Sequence, residues 1–194
     1  MFRRKNKKKA ILERVAKGGE IIVERGTYAF LEPIRLRSRM HIKGQGRVIF
    51  IAEKHDQPIF EAQHARDIVL ENLILITYFR TFTKHLIFFR DCIRPKIINV
   101  RILGYGVEPS VGGICILGGK EAVIERCSVQ GFRYGIFLSG TSKALVHGGR
   151  IDRCPTGVYV YGGTDNTITQ CTIKFDGRPS DDNGLDGVLV DSAY

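Results

Sequence analysis

Apolar residues along this chain come in short runs broken by glycines and polar clusters. The runs Glu20–Val23, Pro33–Leu36, Met40–Ile42, Arg47–Ile51, Pro58–Glu61, Asp67–Ile76 and His85–Phe89 are rich in β-branched and aromatic side chains. That composition and length predict strands. Helical spacing is rare. Residues 10–17 are the exception: Ile11, Leu12 and Val15 would form an apolar side, and Gly18-Gly19 would end one or two turns. So short a helix is unstable alone and needs a platform.

Repetition chooses among the all-β architectures. Gly113-Ile-Cys-Ile, Gly135-Ile-Phe-Leu and Gly157-Val-Tyr-Val follow one another at 22-residue spacing, and Gly187-Val-Leu-Val follows after a further 30. A second column, Cys127-Ser-Val129, Gly149-Arg-Ile151 and Cys171-Thr-Ile173, keeps the same 22-residue step. Upstream, Pro58-Ile-Phe and His85-Leu-Ile fit the first column, while Val100-Arg-Ile102 and Asn72-Leu-Ile74 fit the second at looser spacing. Two columns in phase mark stacked rungs.

A 22-residue rung holds about three short strands and three turns, each strand pairing with its counterpart roughly 4.8 Å away. Inward residues such as Ile114, Ile136, Val158 and Val188 would then stack, and longer rungs carry inserted loops. The leucine-rich alternative lacks its Leu/Asn consensus and a helix in each unit. The expected fold is therefore all-β: a single-stranded parallel β-helix over residues 10–194 with a short N-terminal capping helix, preceded by a basic flexible arm at residues 1–9. Nothing comparable to the helix follows Gly187–Val190, so the last rung is expected to be bare, covered by a partner or another copy, or continued in a longer chain.

The segment Ala10-Ile-Leu-Glu-Arg-Val-Ala-Lys-Gly-Gly-Glu-Ile-Ile-Val-Glu-Arg-Gly-Thr-Tyr28 resembles the opening of the pectate-lyase-like right-handed β-helices. There a short helix leads through a glycine turn into an apolar strand and a Gly-Thr-Tyr turn. Ile34-Arg-Leu, Met40-His-Ile-Lys-Gly-Gln-Gly46 and Val48-Ile-Phe continue the likeness. The resemblance implies a right-handed coil. That superfamily includes polysaccharide lyases, polygalacturonase-like hydrolases, sugar epimerases, tailspikes and non-catalytic repeats, so it implies no single chemistry.

Composition and charge narrow the field further. Of 194 residues, 43% are hydrophobic and 26% charged, which fits a folded domain; 22 glycines without a three-residue period exclude collagen. The net charge is +10, and Arg3, Arg4, Lys5, Lys7, Lys8 and Lys9 supply six of those charges. Such an arm is either a solvated tail or a contact for nucleic acid, anionic lipid or an acidic partner, and no aromatic-interleaved basic stripe follows it. No secretory h-region and no membrane-spanning apolar stretch is readable, which points to a cytoplasmic or virion setting. Five cysteines without a CxxC pair read as buried thiols rather than a disulfide or zinc framework. No cofactor and no metal site is expected.

Candidate chemistry lies outside the repeats. Asp176-Gly-Arg-Pro-Ser-Asp181-Asp182-Asn-Gly-Leu-Asp186-Gly coincides with the eight-residue insertion. Asp181, Asp182 and Asp186 would serve a glycosidase if two carboxyl groups stood about 5 to 9.5 Å apart. Asn183-Gly-Leu-Asp186-Gly is similar to the Asn-Thr-Asp-Gly run of polygalacturonase-like enzymes, which implies a catalytic Asp186; Leu185 interrupts the match. As Ca²⁺ ligands the same aspartates would call for a basic neighbour, Arg153 or Arg178. Tyr159 and Tyr161 alternate with Val158 and Val160 and would point outward to stack on sugar rings. The five scattered histidines lack metal or triad spacing. Two readings stand: a non-catalytic structural or recognition β-helix that binds protein, glycan or its own copies, within a virion or larger assembly, and a carbohydrate-active lyase or hydrolase centred on the acidic loop.

Overall fold

A computed structural model describes residues 2–80, 83–105, 112–174 and 186–191. The chain coils as a right-handed parallel β-helix with three faces, each a stack of parallel strands. Two long strands, Glu20–Phe30 and His41–Ala52, begin the coil and bend through the first and second faces, with a bulge between Glu24 and Gly26. The first face continues through Val69–Glu71, Lys96–Ile98, Val123–Glu125, Leu145–His147 and Thr167–Thr169. The second continues through Ile74–Thr77, Arg101–Gly104, Ser128–Gln130, Arg150–Asp152 and Thr172–Lys174. The third stacks Ile34–Leu36, Phe60–Gln63, His85–Arg90, Gly112–Leu117, Tyr134–Ser139, Thr156–Tyr161 and Asp186–Asp191.

Each face sends an apolar column inward, and the third face sends a second, Leu36, Ala62, Phe89, Ile116, Leu138 and Val160. Ile42, Leu70, Ile97, Ile124, Val146 and Ile168 align on the first face. Phe50, Leu75, Ile102, Val129, Ile151 and Ile173 align on the second. Ile34, Phe60, Ile87, Ile114, Ile136, Val158 and Val188 align on the third. All but Ile168, Ile173 and Val188 are buried. Nearest the helix the core is wider, and Phe50 fills it with edge contacts to Tyr28 and Phe30 and a tilted contact to Phe60.

The glycine of the Gly-Ile repeat has a packing cause. A Cβ at Gly113 would lie 2.4 Å from Val129 Cγ1 and 2.9 Å from the Gly135 carbonyl; one at Gly135 would lie 2.6 Å from both Ile151 Cγ2 and the Gly157 carbonyl. The strand start approaches the neighbouring rung and the second-face column too closely for any side chain.

The corners differ in tolerance. Connections from first to second face are two residues and those from third to first five, save four at 37–40, whereas those from second to third run from three residues, at 31–33, 131–133 and 153–155, to eleven, at 175–185. The short corners are built on left-handed residues. Asn72, Asn99, Arg126, Gly148 and Gln170 occupy one such column, and Asn99 Nδ2 donates 2.8 Å to Asn72 Oδ1. This side-chain bond joins two successive rungs at the corner.

The structure corrects several local expectations. The helix spans Phe2–Lys17, so the basic segment expected as a separate flexible arm forms its first turns. Its contact side is Ile11 and Val15, while Leu12 is exposed. Gly18 and Gly19, both at φ 80°, end it in the left-handed conformation. The run Asp67–Ile76 is two strands broken at Asn72-Leu73, and the second-column triplet there is Leu73-Ile74-Leu75, one residue later than the spacing suggested.

Candidate functional site

The outer surface of the third face carries the site with the most chemistry. Its strands are six residues long from His85 onward, against three or four on the other faces past the first two rungs. Parity sends Phe88, Cys115, Phe137, Tyr159 and Leu189 outward in one column. His85, Gly112, Tyr134 and Thr156 form a second column beside it. Phe137 and Tyr159 stack with centroids 5.2 Å apart, Tyr134 stacks on Tyr159 at 5.3 Å and on Phe137 at 5.8 Å. At those separations the near-parallel rings are offset-stacked, so each leaves part of a face and an edge to solvent. Tyr161, 43% exposed, is tilted 59° from Tyr159 and turns away from the stack. Arg133 lies 5.3 Å from the Tyr134 ring, Arg90 lies 5.4 Å from the Phe88 ring, and the Tyr159 hydroxyl donates 3.2 Å to Asp191 Oδ2.

His85 anchors one end of this row. It is buried and stacks between Phe88, at 6.3 Å, and Phe137, at 6.1 Å. It reaches Phe137, two rungs away, because Gly112 lies between: a Cβ there would sit 2.5 Å from His85 Nδ1. Nδ1 is the one buried side-chain polar atom without a hydrogen-bond partner among the described residues. Burial, with a smaller contribution from Lys84, lowers its pKa to about 4, so the ring is neutral at pH 7. Cys115 is buried beneath Phe88 and Phe137, and burial pushes its thiol up to about 12.

Next to Phe88, Asp56, Gln57 and Pro58 of one second-to-third connection and Thr83 and Lys84 of the next line a groove of about 460 Å³. On the same side of the coil Tyr78 and Tyr105 are exposed and stacked at 5.5 Å.

Of the residues expected at a site, Tyr159 and Tyr161 lie together on this outer face, with Val158 and Val160 inward. Arg153 lies elsewhere, at the left-handed corner following Arg150–Asp152, where its guanidinium faces the Gln130 side chain. Arg178, Asp181 and Asp182 lie outside the described residues. Asp186 opens the strand Asp186–Asp191, aligned with Thr156. Lys8 and Lys9 pair with Glu53 and Glu13, at 4.0 and 3.8 Å, and Lys8 Nζ also lies 5.1 Å from the Phe30 ring. The described residues hold no group of three or more His, Cys, Asp or Glu able to bind a metal ion. Sequence reasoning missed His85, Phe88 and Phe137 as members of one row; the register across rungs of unequal length was the signal needed.

Known proteins with this architecture include the catalytic domain of a GH87 α-1,3-glucanase in complex with tetrasaccharides. It aligns at TM-score 0.62 and 12% identity over 95% of this chain and 43% of its own. PfbA, a surface adhesin of Streptococcus pneumoniae, aligns at TM-score 0.61 and 13% identity over 97% of this chain and 63% of its own. These likenesses show a shared fold, and this chain spans less than two thirds of either structure. No curated protein matches the sequence. The description "Right handed beta helix region" matches residues 78–192, more than half of the chain, and the protein belongs to that family.

Proposed function

We propose that this protein is a recognition β-helix that binds a glycan along the outer surface of its third face. The carrying observation is the row Phe88, Phe137, Tyr134 and Tyr159, with Tyr161 beside it, aromatic and partly exposed on three of four successive rungs, buried Cys115 standing on the rung between Phe88 and Phe137. Phe88 and Tyr159 lie three rungs apart, about 14 Å at the usual strand spacing. That length suits a few sugar units lying across the rungs. Their C–H faces would meet the exposed ring surface, and their hydroxyls would meet Arg133 and Asp191. The structures of like fold include a glucanase in complex with tetrasaccharides and a surface adhesin, and both are compatible with this reading.

The test is a glycan array followed by titration of the best ligand against Tyr159→Ala and Tyr161→Ala. Truncating a central aromatic anchor typically costs about 2 kcal/mol, roughly thirtyfold in affinity. Binding that survives both substitutions, or no binding to any glycan, overturns the proposal.

A catalytic reading rests on the acidic connection. Asp181 and Asp182 fall in sequence between Thr172–Lys174 and Asp186–Asp191, outside the described residues. Turnover of acidic polysaccharides that is lost in Asp181→Asn or Asp186→Asn would support it. Absence of turnover by the unaltered protein would remove it.

A further inference from the structure

The aromatic row ends abruptly. The positions aligned with Phe88 on the two preceding rungs are Glu61 and Arg35, and Arg35 Nε donates 2.8 Å to Glu61 Oε1. The track therefore meets a closed ion pair, and the groove lies at that end.

The charges in the groove are unevenly satisfied. Its lining includes Asp56, Glu61, Lys84, His85, Phe88 and Arg90. Glu61 is engaged by Arg35. Asp56 faces the field of Lys54, whose ammonium is bonded to Glu32. No carboxylate within ion-pair distance of Lys84 or Arg90 is found among the described residues, and Arg90 is held over the Phe88 ring. His85 adds an imidazole that carries no charge at neutral pH. The groove thus presents two cations with no carboxylate at ion-pair distance among the described residues, beside an aromatic ring, against Asp56 and the Glu61 carboxylate already engaged by Arg35.

We propose that this groove is a terminal subsite: it holds an anionic substituent, a carboxylate, sulfate or phosphate, on the end unit of the glycan that lies along the aromatic row. The inference rests on the glycan reading above. Arg90 stacked on Phe88 keeps its N–H edge free for a forked contact to an oxyanion. Lys84, which also lines the groove, supplies a second positive charge. The Arg35–Glu61 pair ends the aromatic track at this rung, so the anionic substituent is placed on the end unit of the glycan.

The experiment compares tetrasaccharides of the backbone selected on the array. One set is neutral, three sets carry a terminal uronate, sulfate ester or phosphate ester, and one carries the uronate internally. Each is titrated calorimetrically against the unaltered protein, Lys84→Ala, Arg90→Gln and Tyr159→Ala. The expected result is at least tenfold tighter binding of a terminally anionic form than of the neutral and internally substituted ones. That advantage should disappear in Lys84→Ala and Arg90→Gln while their affinity for the neutral form is unchanged, and the three anions identify the preferred group. Neutral binding that depends on Tyr159, with no advantage for any terminal anion, overturns the subsite and leaves the recognition face standing. Loss of all binding overturns both.

Discussion

Arg94 stands one rung beyond Asp67 and grips it with two hydrogen bonds, Nε to Oδ1 at 2.8 Å and Nη2 to Oδ2 at 3.1 Å. Both residues sit at left-handed corners, φ 53° and 55°, in a column that reads Arg39, Asp67, Arg94, Glu121, Lys143, Asp165. Backbone hydrogen bonds from each of the first five to the neighbouring rung keep the column in line. Charge alternates at every step. Side chains stacked at strand spacing would repel if like charges were adjacent.

The hydrogen bond from Arg94, followed by the fields of Arg94, Arg39 and Arg66, holds the Asp67 carboxyl below its ordinary range. Asp67→Lys would place three cations in succession. It should lower the melting temperature more than Asp67→Asn does at low ionic strength. At about 1 M salt, where screening acts within about 3 Å, the two variants should converge. Thermal unfolding of both variants at the two ionic strengths checks this.

Gly135→Ala should be among the most damaging small substitutions in the chain. Its Cβ would meet a carbonyl and a core methyl at 2.6 Å each, and relief requires the rungs to part. Overpacking of this kind costs about 1–3 kcal/mol. Gly187→Ala occupies the same repeat position with nothing within 4 Å, and should stay within about 0.5 kcal/mol of the parent. Urea titration of the pair separates packing from any general cost of replacing glycine.

His85 should make stability fall with acid. Its pKa is about 4 when folded against an ordinary 6.5, so the unfolded chain takes up the proton first. The stabilisation is complete above pH 6.5 and is lost progressively as pH falls to about 4. Its size is on the order of 3 kcal/mol. His85→Leu should remove that part of the slope between pH 6.5 and 4, measured by denaturant unfolding at stepped pH.

The cysteines should resist modification. Burial raises the thiols of Cys115 and Cys127 to about 12 and that of Cys154 to about 11. Native protein at pH 8 should react with an aromatic disulfide reagent first at Cys171, the one of the five that is only partly buried. Full reaction at five sites should require denaturant. Fast labelling of Cys127 in native conditions would contradict its position in the core.

Much of the architecture was legible because the rungs between Gly113 and Gly157 keep one length, so Ile114, Ile136 and Val158 announce themselves by spacing. Upstream the same reading slipped by one at Asn72. That residue leaves the strand at φ 56°, and Leu73 after it is as deeply buried as a strand residue, so the apolar triplet has two plausible frames. The basic run before Ala10 looked like a tail because of its charge, yet Lys and Arg are good helix formers. At the site, Tyr159 and Tyr161 followed from alternation alone. Phe88 and Phe137 did not, because they join the row through Cys115 across rungs of 27 and 22 residues. The fit of His85 over Gly112 is also invisible in one dimension.

Most variation in chain length falls at one seam, between the second and third faces, while the two-residue corners keep their length and the third-to-first corners keep five residues after the first, which has four. This divides the molecule into a spool that must be wound the same way each time and a single slot through which extra thread can pass. Lengthening a three-residue connection such as 131–133 would raise a new wall beside Tyr134 without re-registering any strand. Partner preference in such a chain is free to diverge by exchange of inserts along the slot, independently of the core that holds the rungs together.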